Sequence, residues 1–233
     1  MFEGGKFSIS VIIPAFNEEN AVGKVIDDIP KELVDEIIVV NNNSNDNTSN
    51  VAQQAGATVL NEPVPGYGRA CLKGMNYLKN IESKPDVVVF MDADYSDYPA
   101  QMIELVRPIQ LDENDMVIGS RALGQRERGS MTFPQRFGNW LATFLIKVIY
   151  GFNFTDLGPF RAIRYDSLLA LNMQDKTYGW TVEMQVKAIK NGLRCKEIPV
   201  NYRKRIGFSK VSGTLKGTVL AGHKIIVTIF KYL

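Results

Sequence analysis

Val87-Val88-Val89-Phe90-Met91-Asp92-Ala93-Asp94 is the stretch on which the reading of this chain turns. Its five leading apolar residues show no polar alternation, which describes a strand covered on both faces, as in a parallel sheet packed between helices. The run ends on two carboxylates. In extended chain, residues two apart project to one side, so Asp92 and Asp94 face the same way and the small Ala93 leaves room for a ligand. Two hard oxygen ligands at a strand end suit a Mg²⁺ or Mn²⁺ carrying a diphosphate. The competing reading is a polar turn capping the next helix, a role for which Asp97, two residues before Pro99, is better placed.

Outward from this strand the N-terminal pattern alternates. Residues 8–13 and 36–40 are short β-branched runs, and residues 18–29 between them read as a helix, which makes a βαβ unit. A helix over 46–55 closed by Gly56, a strand over 57–60, a helix over 69–80, a helix opened by Pro99 and a strand over 115–119 continue the series. After Ser120 the alternation stops. An arginine- and glycine-rich segment leads to an apolar helix over about 135–150, then a stretch over 156–164, a helix over 180–191 ended by Gly192, a strand over 195–202, a basic loop and a last helix. The expected fold class is α/β, a mostly parallel central sheet with helices on both faces, in a single domain over 1–233 whose halves meet near 118.

With 233 residues, 45% hydrophobic and 22% charged, the composition is that of a globular domain and excludes disordered, collagenous and coiled-coil chains. Two cysteines, Cys71 and Cys195, in no metal-binding spacing, argue against thiol or zinc–thiolate chemistry. Lys147 and Lys224 interrupt the two longest apolar stretches, so no membrane span is expected. Residues 1–5 lack the charged-then-apolar order of a signal peptide, and the expected location is cytoplasmic. The formal charge of +2 hides an asymmetry: residues 1–118 carry 8 basic and 19 acidic side chains, a net of −11, and residues 119–233 carry 19 and 6, a net of +13. A basic half of this kind suggests an anionic partner: a phosphate, a membrane surface or nucleic acid.

In open α/β sheets ligands bind beyond the carboxyl ends of the strands, which selects residues 14–18, 41–46 and 92–97. Pro14-Ala15-Phe16-Asn17-Glu18 holds no glycine fingerprint, and no Walker lysine loop is present, which disfavours nicotinamide, flavin and P-loop enzymes. The same segment lacks the glycine-rich basic loop of a sugar-1-phosphate nucleotidyltransferase. Gly66-Tyr67-Gly68 alone is too weak to revive any of them.

Residues 11–19 (VIIPAFNEE), 39–48 (VVNNNSNDNT) and 91–94 (MDAD) resemble, in order and spacing, family 2 glycosyltransferases of the GT-A fold. Within that family the chain is most similar to dolichyl- or polyprenyl-phosphate mannose and glucose synthases, through Gly119-Ser120-Arg121, residues 156–161, residues 178–184 and residues 205–210. The resemblance covers nearly the whole chain and implies a nucleotide-sugar-binding half over 1–118 and an acceptor-side half over 119–233 ending in an amphipathic helix. It implies that Pro14, Phe16 and Glu18 line the nucleoside pocket, that Val40 is donor-binding and the pair after it, Asn41 and Asn42, reads the base edge, and that Asp92, Ala93 and Asp94 meet the diphosphate, with Asp92 and Asp94 as metal ligands. Asn41 and Asn42 stand where relatives commonly have Asp, and Ser96 stands where some have a metal-assisting Gln. An amide both donates and accepts, so base preference is not inherited.

The resemblance further places Arg121, Arg205 and Lys210 at donor or acceptor phosphates, and residues 203–210 as an acceptor-phosphate clamp. Glu183, in the first turn of its helix, is either a catalytic base for a hydroxyl acceptor or a carboxylate favoured there by the helix dipole. The helix over 135–150 carries Phe137, Trp140, Leu141, Phe144, Leu145, Val148 and Ile149 at helical spacing, and reads either as core or as a membrane-interface helix. Together these imply an inverting glycosyltransferase using Mg²⁺ or Mn²⁺. It would move a hexose from GDP-mannose or UDP-glucose to a polyprenyl-phosphate lipid, as a peripheral enzyme at the inner face of the cell membrane. A hydroxyl acceptor with Glu183 as base, and a non-enzymatic nucleic-acid binder, are the alternatives; no nucleic-acid partner is expected.

Overall fold

The computed structural model describes residues 7–208 and 215–233. One seven-stranded sheet, in the order β3-β2-β1-β4-β6-β5-β7, draws strands from both halves of the chain. β1 (Ile9–Ala15), β2 (Glu36–Asn41), β3 (Thr58–Asn61) and β4 (Val87–Phe90) pair in parallel. β5 (Met116–Ser120) and β7 (Cys195–Pro199) are also parallel to each other, while β6 (Arg161–Arg164) runs antiparallel between β4 and β5. All seven residues of β1 and all four of β4 are buried, as unalternated apolar runs require.

The sheet-building therefore does not end at Ser120. β6 is only Arg161-Ala162-Ile163-Arg164, whose flanking arginines mask an apolar pattern; Arg161 is itself fully buried and spends its guanidinium on the carbonyls of Leu157, Gly158 and Thr181. β7 is also shorter than the apolar run suggests, ending at Pro199.

Helices cover both faces. α1 (Val22–Asp27), α2 (Thr48–Gln54) and α4 (Met102–Gln110) pack one side with Ile13, Val39, Val89 and Val117. α3 (Tyr67–Asn80), α5 (Phe133–Tyr150), α6 (Tyr165–Ala170), α7 (Trp180–Lys190) and α8 (Leu215–Lys231) pack the other with Ile12, Val40, Phe90 and Ile118. α1 begins four residues later than the helical pattern suggests. Glu18 and Glu19 are held in a turn instead, their main-chain N–H groups donating to Thr48 Oγ1 at 2.8 Å and Asp46 Oδ2 at 3.2 Å. Asp97 does not cap the next helix: a 3-10 turn over Pro99–Gln101 leads into α4, and its N-cap is Tyr98 with no side-chain bond.

Candidate active site

The register of the sheet gathers both halves at one edge. Ala15 lies beside Asn41, Phe90 beside Arg161 and Ser120 beside Pro199. The carboxyl ends of β1, β2, β4, β5 and β7 and the entry to β6 thus share a rim. Here Pro14, Phe16, Glu18, Asp92, Ala93, Asp94 and Arg205 line a cleft of about 270 Å³, closed on its other side by Gly66, Tyr67 and Tyr178. With Asn42, eight residues anticipated from sequence meet there, from motifs as far apart as Pro14 and Arg205.

Asp92 and Asp94 share the cleft but differ in environment. Asp92 Oδ1 is enclosed without a hydrogen bond of ordinary geometry, and the buried Tyr67 hydroxyl, likewise without one, lies close enough to favour its charged form. Burial, then the charge of Asp94, pushes the Asp92 carboxyl up to about 7. Asp94 Oδ1 accepts from Ser96 N–H at 3.0 Å and Ser96 Oγ at 2.5 Å, so Ser96 orients this carboxylate. Asp94 Oδ2 meets Arg205 Nη1 at 3.0 Å, and Arg205 Nη2 reaches Glu18 Oε1 at 2.6 Å. A buried carboxylate oxygen lacking an ordinary hydrogen bond, next to a second oriented carboxylate, fits a hard divalent cation that takes its remaining ligands from a diphosphate and water. Among the described residues no cluster of three or more His, Cys, Asp or Glu side chains has metal-binding geometry. Asp97 is buried nearby with both oxygens unpartnered, and burial followed by the charges of Asp92 and Asp94 holds its carboxyl well above the usual range.

The structure revises Val40 and the base-edge pair. Val40 is fully buried in β2 and faces the core rather than the cleft. Asn42 reaches the cleft wall, yet its amide is saturated: Nδ2 donates to Glu62 and Val64 carbonyls at 3.2 and 2.8 Å, and Oδ1 accepts from Gly66 N–H at 2.7 Å. Asn41 turns to Ser49, Asn61 and the Ser44 N–H. Both asparagines therefore shape loops. Much of the 41–48 motif serves the same end: Ser44 and Thr48 hydroxyls and the Asp46 carboxylate hold the main chain of Asn17, Glu18 and Glu19.

The glycines dismissed as a phosphate loop prove necessary for another reason. A Cβ on Gly66 would lie 2.3 Å from the Lys176 carbonyl and one on Gly68 2.0 Å from that of Asp175, so only glycine lets α3 dock against residues 175–177. That contact carries Tyr178 into the cleft. Sequence reasoning missed Tyr178 as a cleft residue; the signal available was an aromatic beside Gly179 in the 178–184 motif.

Glu183 is not in the cleft. Its carboxylate is fully buried and accepts from the N–H groups of Gln174 and Asp175 and from the Tyr232 hydroxyl at 2.6 Å, with Lys187 Nζ at 2.8 Å. A carboxylate so occupied anchors the 174–179 loop and has neither reach nor a vacant lone pair for an acceptor proton.

Arg121 lies outside this cleft, gripped by Asp156 and 5.1 Å above the Tyr202 ring. Beyond it, Arg126, Arg136 and Lys147 surround a second cavity of about 450 Å³ with Trp140, Phe144 and Phe154. This cavity opens along α5, where Phe133, Phe137, Trp140 and Phe144 form a continuous exposed ladder with successive ring centroids 6.4, 5.8 and 5.8 Å apart. Only part of α5's apolar set is core: Leu145 and Ile149 pack inward, whereas Phe137, Trp140, Phe144 and Val148 face out. No helix among the described residues is long and apolar enough to cross a membrane. Lys210, and with it the far end of the proposed clamp, lies outside the described residues.

The glycosyl transferase family 2 model matches residues 10–171. An uncharacterised glycosyltransferase of Mycobacterium tuberculosis is 33% identical over 218 residues, spanning 92% of this chain and 94% of that protein. An undecaprenyl-phosphate mannosyltransferase of Micrococcus luteus is 29% identical, spanning 90% and 89%. In structure, glucosyl-3-phosphoglycerate synthase from Mycobacterium tuberculosis, solved with Mn²⁺, UDP and glucosyl-3-phosphoglycerate, superposes with a TM-score of 0.75 over 97% of this chain and 79% of that one, at 23% identity, a likeness of fold. The sheet order, the rim of strand ends and these similarities converge: the chain is an α/β enzyme of the GT-A fold and belongs to glycosyl transferase family 2.

Proposed function

We propose that this enzyme is an inverting hexosyltransferase that uses a nucleotide-diphosphate sugar, GDP-mannose or UDP-glucose, and a polyprenyl-phosphate acceptor at a membrane surface. The observation that carries the reading is the second cavity. Three cations beside an exposed aromatic ladder suit an anionic headgroup with an apolar tail, and Thr155 and Asp156 link that cavity to Arg121 at the sheet rim. The Micrococcus luteus relative, named for undecaprenyl phosphate, supports the same acceptor class.

In this reading Phe16 and Pro14 flank the nucleoside, and Asp92 and Asp94 hold the Mg²⁺ or Mn²⁺. When bound, that cation offsets the charge of the departing nucleoside diphosphate. An acceptor phosphate oxygen attacks the anomeric carbon from the face opposite the leaving group. The new carbon–oxygen bond forms as the bond to the β-phosphate oxygen breaks, and the electron pair leaves with the nucleoside diphosphate. A phosphate is already ionised, so no base is needed, in keeping with the position of Glu183. Arg121 and Arg205 orient phosphates, and the protein's main contribution is alignment and charge stabilisation.

The test is transfer from GDP-mannose and UDP-glucose to undecaprenyl phosphate in anionic vesicles, set against soluble phosphate and hydroxyl acceptors. Sugar-lipid formation that falls by about tenfold or more in Trp140→Glu, with nucleotide affinity unchanged, is the expected result. Transfer only to soluble acceptors, indifferent to vesicles and to Trp140→Glu, overturns the reading.

A further inference from the structure

The contact between Arg205 and the cleft carboxylates has a consequence for how ligands enter. Asp94 has both oxygens engaged, Oδ1 by Ser96 and Oδ2 by Arg205 at 3.0 Å, and the same guanidinium holds Glu18 Oε1 at 2.6 Å. The pair is mostly withdrawn from water: the side chains of Glu18 and Asp94 are each 9% exposed and that of Arg205 26%. It is therefore screened less than a surface pair. A divalent cation that binds Asp94 through Oδ2 meets the positive charge of Arg205 there, so its binding is opposed for as long as the guanidinium stays.

The main chain around Arg205 is fastened separately from its guanidinium. Arg203 is stacked between Tyr95 and Tyr98, 3.3 and 4.4 Å from their ring centroids, and donates to the carbonyls of Tyr95 and Asp97. Arg203 N–H donates to Ser96 O and Ile206 N–H to Asp94 O, each at 2.9 Å. The backbone of 203–206 is thus tied to the 94–97 loop on both sides of Arg205. Exchange of partners at Arg205 needs only side-chain rotation, and a phosphate offers its planar fork a bidentate partner at least as good as the two carboxylates.

We propose that Arg205 is an internal competitor for the divalent-cation site, so that cation and nucleoside diphosphate bind as a mutually dependent pair. The inference rests on the donor-site part of the function proposed above and is independent of the acceptor. Phosphates draw the guanidinium off Glu18 and Asp94, and the freed carboxylates favour the cation. The cation in turn favours the phosphates by the same factor, as linkage requires.

The experiment is a titration with Mn²⁺, followed by the electron spin resonance signal of the free ion, first alone and then with saturating UDP or GDP. Wild-type protein, Arg205→Met, Arg205→Gln and Lys204→Ala are compared, with thermal melts to establish folding. Without nucleotide, both Arg205 variants should bind Mn²⁺ about three- to tenfold more tightly than wild type, the scale of a half-buried charge-assisted contact. The gain in Mn²⁺ affinity on adding UDP or GDP should shrink by at least the same factor. Lys204 neighbours Arg205 but is exposed and pairs with Glu127, so Lys204→Ala should change Mn²⁺ affinity by less than about twofold. Two results overturn the proposal: Mn²⁺ affinity without nucleotide that is unchanged or weaker in both folded Arg205 variants, or no Mn²⁺ binding by any variant even with nucleotide. Because no acceptor is present, failure of the lipid-acceptor assignment leaves these outcomes unaffected.

Discussion

Asp156 accepts three hydrogen bonds from Arg121, from its N–H and Nε to Oδ2 and from Nη2 to Oδ1, each at 2.7 Å. A buried fork-to-fork pair of this kind fixes the guanidinium plane and leaves Nη1 as the corner directed elsewhere. Arg121→Lys keeps the charge but cannot occupy two oxygens. Both Arg121→Lys and Asp156→Asn are expected to lower kcat by about tenfold to a hundredfold through misplacement. Asp156→Asn should also cost roughly 2–4 kcal/mol of stability, because a buried cation loses its partner. Steady-state kinetics beside thermal melts check both parts.

The raised Asp92 carboxyl predicts a pH dependence with a definite sign. Its folded value near 7 exceeds the ordinary carboxylate value of 3.8, so its contribution to stability is complete below about pH 4 and is lost as pH rises to about 7. Asp92→Asn does not titrate. In chelator, the variant should match wild type near pH 4 and exceed it by roughly 1–3 kcal/mol above pH 7, as read by denaturant midpoints. Wild-type Mn²⁺ affinity should rise across the same window as the carboxylate ionises.

Asp94→Asn is expected to abolish metal-dependent donor turnover with the fold intact, because one carboxylate is lost at a strand end and no core packing changes. Wild-type turnover by this variant at limiting Mn²⁺ would remove Asp94 from the cation site.

Replacing Glu183 separates an anchor from a base. Glu183→Ala strands Lys187 and two loop N–H groups, and should lower stability by about 3 kcal/mol or more. The acidic limb of the kcat profile should persist in Glu183→Gln. Its disappearance would mark Glu183 as a proton acceptor.

The two asparagines should respond unequally to replacement by Asp. Asn42→Asp turns a donor to two carbonyls into a carboxylate facing them, a loss of about 2–4 kcal/mol, with weaker nucleotide binding as the 62–66 loop shifts. Asn41→Asp should cost less than about 1 kcal/mol, since the Ser49 hydroxyl and the Asn61 amide can reverse and donate. Melting curves and UDP or GDP titrations distinguish them.

Much of this protein was legible in its residues taken in order. Apolar runs without alternation can only be satisfied between two helical layers, and this fixed β1, β2 and β4 and located Asp92 and Asp94 at a strand end. Local patterns failed where a partner far along the chain decides the state of a segment. Arg161-Ala162-Ile163-Arg164 becomes a strand because β4 and β5 supply both edges and its first arginine can spend its charge on buried carbonyls. Ser96, Asn42 and Glu183 have the right chemistry for a site, and only their neighbours show that they support it.

The charge asymmetry marks the same boundary. The sequence alone establishes −11 on one half and +13 on the other, a sum over residues that needs no coordinates. Tertiary structure decides where those charges go. Arg164 and Arg194 meet Asp112 and Asp115, Arg203 meets Asp28, and Arg205 meets Glu18 and Asp94, so much of the basic half is matched to the acidic half along their shared sheet. Arg126, Arg136 and Lys147 are left around an open cavity. Coulomb attraction depends on distance and burial, which folding sets and sequence does not.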